Sequence, residues 1–161
     1  QADIIFDPTL NRSGLSFQIQ PLYIENDWVF MAGSPLELCA FYRLAELGGI
    51  DDVRMGVKYS WNAEDEERKT ENELDILISS GARLTCISCK SGNTETAALN
   101  ELDTYAARLG GTFGNKVMVG ADRMLGNDKF MARAGKMGIK TIHISEIMAD
   151  QFNIDRFYEP W

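Results

Sequence analysis

The sequence predicts an α/β fold, a mixed β-sheet with helices on its faces. Three observations carry that reading. The 161 residues, 45% hydrophobic and 25% charged, suit one globular domain with a core of its own. Three strand-like runs then follow one another over residues 53–90, and their short links favour antiparallel hairpins. Beyond them helix and strand signals alternate, so βαβ crossovers add parallel strands. The expected core order is α-β-β-β-α-β-α-β, followed by a last short helix.

Residues 1–32 give mixed signals. Segments 15–20 and 22–24 read as short strands interrupted by Pro21, and Trp28 opens another apolar stretch. They are expected to form an arm, or a connection from a missing upstream domain. The chain begins at Gln1 rather than Met, the expectation being a piece of a longer protein whose domain proper covers 33–161.

From residue 33 the pattern sharpens. Ser34, Pro35 and Glu37 combine an N-cap, a proline at the first helical position and a capping-box acid. Leu38, Phe41, Tyr42 and Ala45 continue the helical stripe, which Gly48 and Gly49 end. Residues 53–61 alternate apolar and polar, predicting a half-buried strand, and the acidic stretch after it reads as a loop. Residues 73–79 and 83–90 are two more strands joined through Ser80-Gly81. Residues 94–109 return to helical spacing through Ala98, Leu102, Tyr105 and Leu109. Residues 116–120 form a strand, Asn127 caps a helix to about Met137, residues 139–144 form another strand, and Ser145 opens a helix toward Phe152.

Composition removes several function classes. No apolar run approaches the ~18 residues of a membrane span, and the N-terminus lacks the basic-then-apolar order of a signal peptide. Three cysteines cannot all pair, which favours a reducing, cytoplasmic setting. The single histidine, His143, excludes multi-histidine zinc sites; within an apolar strand it is expected to be a core or face residue. The net charge of −8 is unevenly spread. Residues 62–75 carry seven acids against Arg68 and Lys69, and residues 112–140 carry six bases against Asp122 and Asp128. Both are read either as solvated surface or as a cation-collecting edge beside a phosphate-facing one. The overall acidity argues against tight, sequence-blind nucleic-acid binding by a lone copy.

The stretch 72–92 is the most informative. Asp75 lies early on one strand of a hairpin and Lys90 at the end of the next, so the two should be neighbours. A carboxylate and an ammonium meeting there suit a site in which the acid holds Mg²⁺ or Mn²⁺ and the lysine orients a water; a surface salt bridge is the plainer alternative. Glu37 is accounted for by its capping box alone. Lys58 is either a phosphate contact or a solvated strand lysine. Cys86 and Cys89 have redox spacing, but within a strand their thiols should point to opposite faces. Trp28, Trp61 and Trp161 are too scattered for a base-stacking platform.

An acid on a first helix, an Asp on the second strand and acid-x-Lys on the third resembles the PD-(D/E)XK nucleases, with their restriction-endonuclease-like fold; Glu37, Asp75 and Lys90 stand at the matching positions. Gly33-Ser34-Pro35-Leu36-Glu37, Val53 to Lys58, Asn72-Glu73-Leu74-Asp75, Cys89-Lys90-Ser91-Gly92 and Arg108 to Gly114 further resemble the C-terminal nuclease domain of CRISPR ancillary nucleases that carry a CARF sensor. The resemblance covers about residues 33–145. It implies metal-dependent cleavage of DNA or RNA phosphodiesters with Mg²⁺ or Mn²⁺, in a homodimer. It also implies activation by a cyclic oligoadenylate through a sensor domain absent from this chain. The chain departs from the pattern at Ser88, which stands where a metal-binding Glu is expected. Three readings stay open: a catalytically silent domain used for dimerisation or nucleic-acid binding; a carboxylate supplied by Glu73, Glu95 or Glu101; or a one-metal site of Glu37, Asp75 and the backbone carbonyl of Cys89. A partner-binding module unrelated to nucleic acid is a further class.

Overall fold

The computed structural model of the protein describes residues 8–11, 14–17, 34–60, 71–92, 95–121 and 127–158. A small hairpin pairs β1 (Pro8–Asn11) with β2 (Gly14–Phe17). Only β2 has a counterpart in the strand expected at 15–20. The segment 22–24 and all three tryptophans lie outside the described residues.

The main body follows the expected order: α1 (Ser34–Ala45), β3 (Asp52–Ser60), β4 (Glu71–Ser80), β5 (Arg83–Lys90), α2 (Thr96–Gly110), β6 (Gly114–Gly120), α3 (Asp128–Lys136), β7 (Lys140–His143) and α4 (Ile144–Ile147). Five strands lie in the order β3-β4-β5-β6-β7. β3, β4 and β5 run antiparallel, whereas β6 and β7 join by parallel ladders. The acidic stretch read as a loop is already strand by Glu71.

Two apolar cores sandwich the sheet. Ala40 and Leu44 of α1, with Ile147, Ile154 and Phe157, cover the face carrying Ile76, Ile78, Ile87, Val117 and Val119. Leu99, Leu102 and Ala106 of α2, with Phe130 and Ala134 of α3, cover the face carrying Cys86 and Met118. Covering both faces buries the run Val117-Met118-Val119 completely, which is why it lacks strand alternation. Asn127 caps α3 as expected, its side chain accepting the Phe130 N–H at 3.2 Å.

The chain end corrects one expectation and adds to another. The last helix stops at Ile147 instead of reaching Phe152, because Arg43 of α1 donates to the carbonyls of Ile147 (3.2 Å) and Ala149 (3.1 Å) and ties off its end. His143 is a half-buried face residue of β7, as expected, and it also caps α4: its Nδ1 accepts the Ser145 N–H at 3.1 Å, and its own N–H reaches Glu146 Oε1 at 3.1 Å.

The regular alternation expected over 53–61 is also overturned. Val53 packs in the α1-side core, whereas Val57 and Tyr59, of the same parity, pack on the α2 side. β4 reverses in the same place, with Ile76 and Ile78 on the α1 side and Leu74 on the other. Between the two halves, Met55↔Ile76 and Val57↔Leu74 are paired, but Gly56 and Asp75 are skipped. Gly56 takes φ +60°, a conformation that favours a residue without a Cβ. The face reversal is therefore built on one glycine, and it falls opposite Asp75.

Gly56→Ala is expected to lower the unfolding free energy by about 1–2 kcal/mol, the left-handed penalty of an L-residue. Gly48→Ala, where an added Cβ meets nothing within 4 Å, should stay within about 0.5 kcal/mol. Urea unfolding of both variants decides; equal values would remove the assigned role of Gly56.

Candidate functional site

The face reversal opens the sheet. The β4–β5 ladder ends at Ile76↔Ile87, while β5 continues along β6 through Ser88↔Met118 and Lys90↔Gly120. The first half of β4 stays with β3, Lys58 lying opposite Glu73. Asp75 sits where the two paths part.

Its carboxylate closes the gap. Oδ2 accepts the Cys89 N–H at 2.6 Å and the Ser88 hydroxyl at 3.1 Å. Lys90 Nζ lies 3.9 Å from the same oxygen, close enough for charge attraction but too far for a hydrogen bond. The Lys90 and Asp75 side chains are 35% and 19% exposed, so solvent screens the pair less than it would a surface bridge. In a strand the N–H and C=O of one residue point to the same side. The Cys89 carbonyl therefore faces the gap as well.

Glu37, in the first turn of α1, completes the group. Burial pushes its carboxyl above the ordinary value; the Asp75 and Glu73 charges push it further, and Lys90 opposes them. No hydrogen-bond acceptor role occupies it among the described residues. The structure thus brings Asp75, Ser88, Cys89 and Lys90 to one opening in the sheet, with Glu37 within the reach of their charges.

Of the three acids considered as stand-ins for the missing motif glutamate, Glu73 alone acts on Glu37. Its Oε1 lies 3.4 Å from where a Cβ on Gly56 would be. Glu95 is an exposed N-cap without a side-chain bond. Glu101 accepts from the Tyr105 hydroxyl on the α2 side. The two strand cysteines fall in opposite cores, and both are free. Burial raises the Cys86 thiol to about 11. Cys89 is raised well above its usual value by burial and by the Asp75 and Glu37 charges, so its thiol stays protonated and does not serve as a ligand.

The sequence reading missed two residues beside the site. Tyr59 of β3 and Tyr105 of α2 meet edge to face at 5.3 Å. Burial and the Glu101 carboxylate hold Tyr105 up at about 12, and the Asp75 charge reaches it too. No spacing marks such a pair, since one residue comes from a strand and the other from a helix. In the basic segment, Lys116 is committed to Asp103 at 2.7 Å, which removes it from the residues free to meet phosphate.

Among the described residues no three acidic, histidine or cysteine side chains form a ready-made metal cage. What is present fits a single hard cation. Mg²⁺ commonly takes one or two carboxylates together with water and substrate phosphates, and Glu37, Asp75 and the Cys89 carbonyl supply that kind of donor set.

The model of the Card1-like endonuclease domain matches residues 25–154. A search of curated proteins finds no match. Among solved structures, protein VC1899 from Vibrio cholerae superposes with a TM-score of 0.65 at 21% identity, over 87% of this chain and 36% of that one. Can2 from Sulfobacillus thermosulfidooxidans, solved with cyclic tetra-adenylate, gives 0.61 at 19% identity, over 78% and 36%. A protein of unknown function, AF1548, gives 0.50 at 18% identity, over 76% and 62%. These likenesses show the fold, a five-stranded mixed sheet flanked by helices; the chain spans only about a third of the length of the first two. Among the described residues no helix is long and apolar enough to cross a membrane.

Two outcomes follow from the geometry. Asp75→Ala strands the Cys89 N–H and should cost about 1–3 kcal/mol, whereas Asp75→Asn keeps an acceptor and should cost less; urea unfolding distinguishes them. Glu37 binds its proton more tightly folded than unfolded, so stability falls as pH rises from about 4.5 through its raised value. In EDTA, Glu37→Gln should therefore melt above wild type at pH 7 and level with it at pH 4. Equal melting at both would contradict the assigned environment.

Proposed function

The chain belongs to the Card1-like endonuclease domain family, and from that premise we propose that it is a metal-dependent endonuclease domain cleaving DNA or RNA phosphodiesters at the Asp75 gap. The observation that carries the reading is Lys90 held 3.9 Å from Asp75 with the half-buried Glu37 carboxylate in the field of both.

Glu37, Asp75 and the Cys89 carbonyl would hold one Mg²⁺ or Mn²⁺. When bound, such an ion lowers the pKa of a coordinated water and offsets charge developing on the phosphoryl oxygens. Lys90 orients the attacking water with its N–H donors, and its ammonium stabilises the charge that builds in line with the scissile bond. Lys58, exposed on β3, and bases of the later half would hold the nucleic-acid backbone. With a single lysine among acids, the opening repels the phosphate backbone less once a cation offsets its negative charge.

The surroundings we propose are those of a CRISPR ancillary nuclease. The domain would act as a homodimer and answer to a cyclic oligoadenylate through a sensor domain elsewhere in the full-length protein. The Can2 relative was solved with such a ligand, which supports that reading. Ser88 favours a second one, a catalytically silent domain of the same fold that binds nucleic acid or a second copy.

Supercoiled plasmid and single-stranded RNA, incubated with and without Mn²⁺, separate the two. Mn²⁺-dependent cleavage that falls about 10²–10⁴-fold in Lys90→Ala is the expected result. No cleavage by wild type, with cleavage appearing in Ser88→Glu, would establish the silent reading instead.

A further inference from the structure

Ser88 occupies the position of a missing acid, yet its hydroxyl is not idle. A carboxylate oxygen has two lone pairs to offer, and on Asp75 Oδ2 both are taken, one by the Cys89 N–H at 2.6 Å and one by Ser88 Oγ at 3.1 Å. Lys90 at 3.9 Å adds charge without needing a lone pair. Among the described residues, Oδ1 of the same carboxylate accepts no hydrogen bond. One oxygen is thus fully engaged by the fold, and the other keeps both of its lone pairs.

We propose that Ser88 is a positioning residue, whose hydroxyl pins Oδ2 of Asp75 and so reserves Oδ1 for a divalent cation. This rests on the metal-dependent reading above and deepens it. Two donors from consecutive residues of β5 fix the rotation of the carboxylate about its χ2 torsion, which is otherwise broad. With only the Cys89 N–H in place, the group could swing about that single bond and exchange its oxygens. A glutamate at position 88 could not serve in this way, because an ionised carboxylate accepts hydrogen bonds and donates none. The serine is therefore more than a lost ligand. It trades a charged donor atom for a better-held Asp75.

Groups that orient a ligating side chain typically change metal affinity about 10–100-fold when removed. The test is Mn²⁺ binding to the whole chain without nucleic acid, followed through the electron paramagnetic resonance signal of free Mn²⁺. Ser88→Ala should bind about 10–100-fold more weakly than wild type, with its melting temperature in EDTA nearly unchanged. Ser88→Thr, which keeps the hydroxyl, should stay within about threefold. Equal affinity in Ser88→Ala overturns the proposal, and so does equal weakening in both variants, which would trace the effect to packing. If wild type itself takes up no Mn²⁺, the metal-dependent reading falls and this proposal with it, an outcome distinct from the other two.

Discussion

A strand that leaves one neighbour to follow another must satisfy the backbone groups exposed at the fork. Here β4 joins β5 only from Ile76 onward, and the first N–H left over on β5, that of Cys89, would be buried without an acceptor. Asp75 supplies one from its side chain at 2.6 Å. A buried, unpaired N–H costs roughly as much as a whole hydrogen bond contributes, so an acceptor at this point is a requirement of the fold. The same requirement brings a carboxylate into a gap in the sheet, where a neutral acceptor would have served the backbone equally well. Structure alone thus explains why position 75 accepts a hydrogen bond. It does not explain why that acceptor is charged, and the charge is what links the fork to chemistry.

The neighbours sharpen that distinction. Burial and two further acids act against the ionised form of Glu37, with Lys90 alone opposing them. A protein under selection for stability alone would relax such a cluster, since like charges in a half-buried opening cost free energy. A carboxyl perturbed by burial and by neighbouring acids is a frequent mark of functional sites. Gly56 belongs to the same arrangement. Its φ of +60° reverses both strands at the level of Asp75, and the missing Cβ leaves space that Glu73 occupies.

Much of the architecture was legible in the sequence because it rests on local periodicity. The Asn127 cap, the β4–β5 hairpin and the opposite facing of Cys86 and Cys89 follow from spacing alone. The alternation of Val53, Met55, Val57 and Tyr59 misled for a definite reason. A period of two records parity, and a left-handed glycine changes the face without changing the count. The isolated Gly56 within a strand pattern was the available signal. The cap role of His143 was not legible because a cap depends on where its strand ends, and neighbouring apolar residues hide that end. For the candidate site, the hairpin placed Asp75 beside Lys90, but the approach of α1 was supplied by family resemblance. The Tyr59–Tyr105 pair left no trace, since it depends on the packing of a helix against an edge strand.

The serine at position 88 changes the electrostatic logic of the opening. With a glutamate there, Lys90 would face one more acid, and the ion-free fold would carry stronger repulsion around Glu37. With serine the ion-free state is easier to maintain, but fewer charged ligands remain to hold a cation. Hard divalent ions complete such incomplete shells with water and phosphate oxygens. On the reading proposed for this domain, the nucleic-acid backbone would then supply donors the protein lacks, and each of the two would strengthen the binding of the other. Such coupling must be reciprocal in free energy. On that reading the cation is held by the free domain and held more tightly once a target strand is in place, which favours hydrolytic chemistry when substrate is bound.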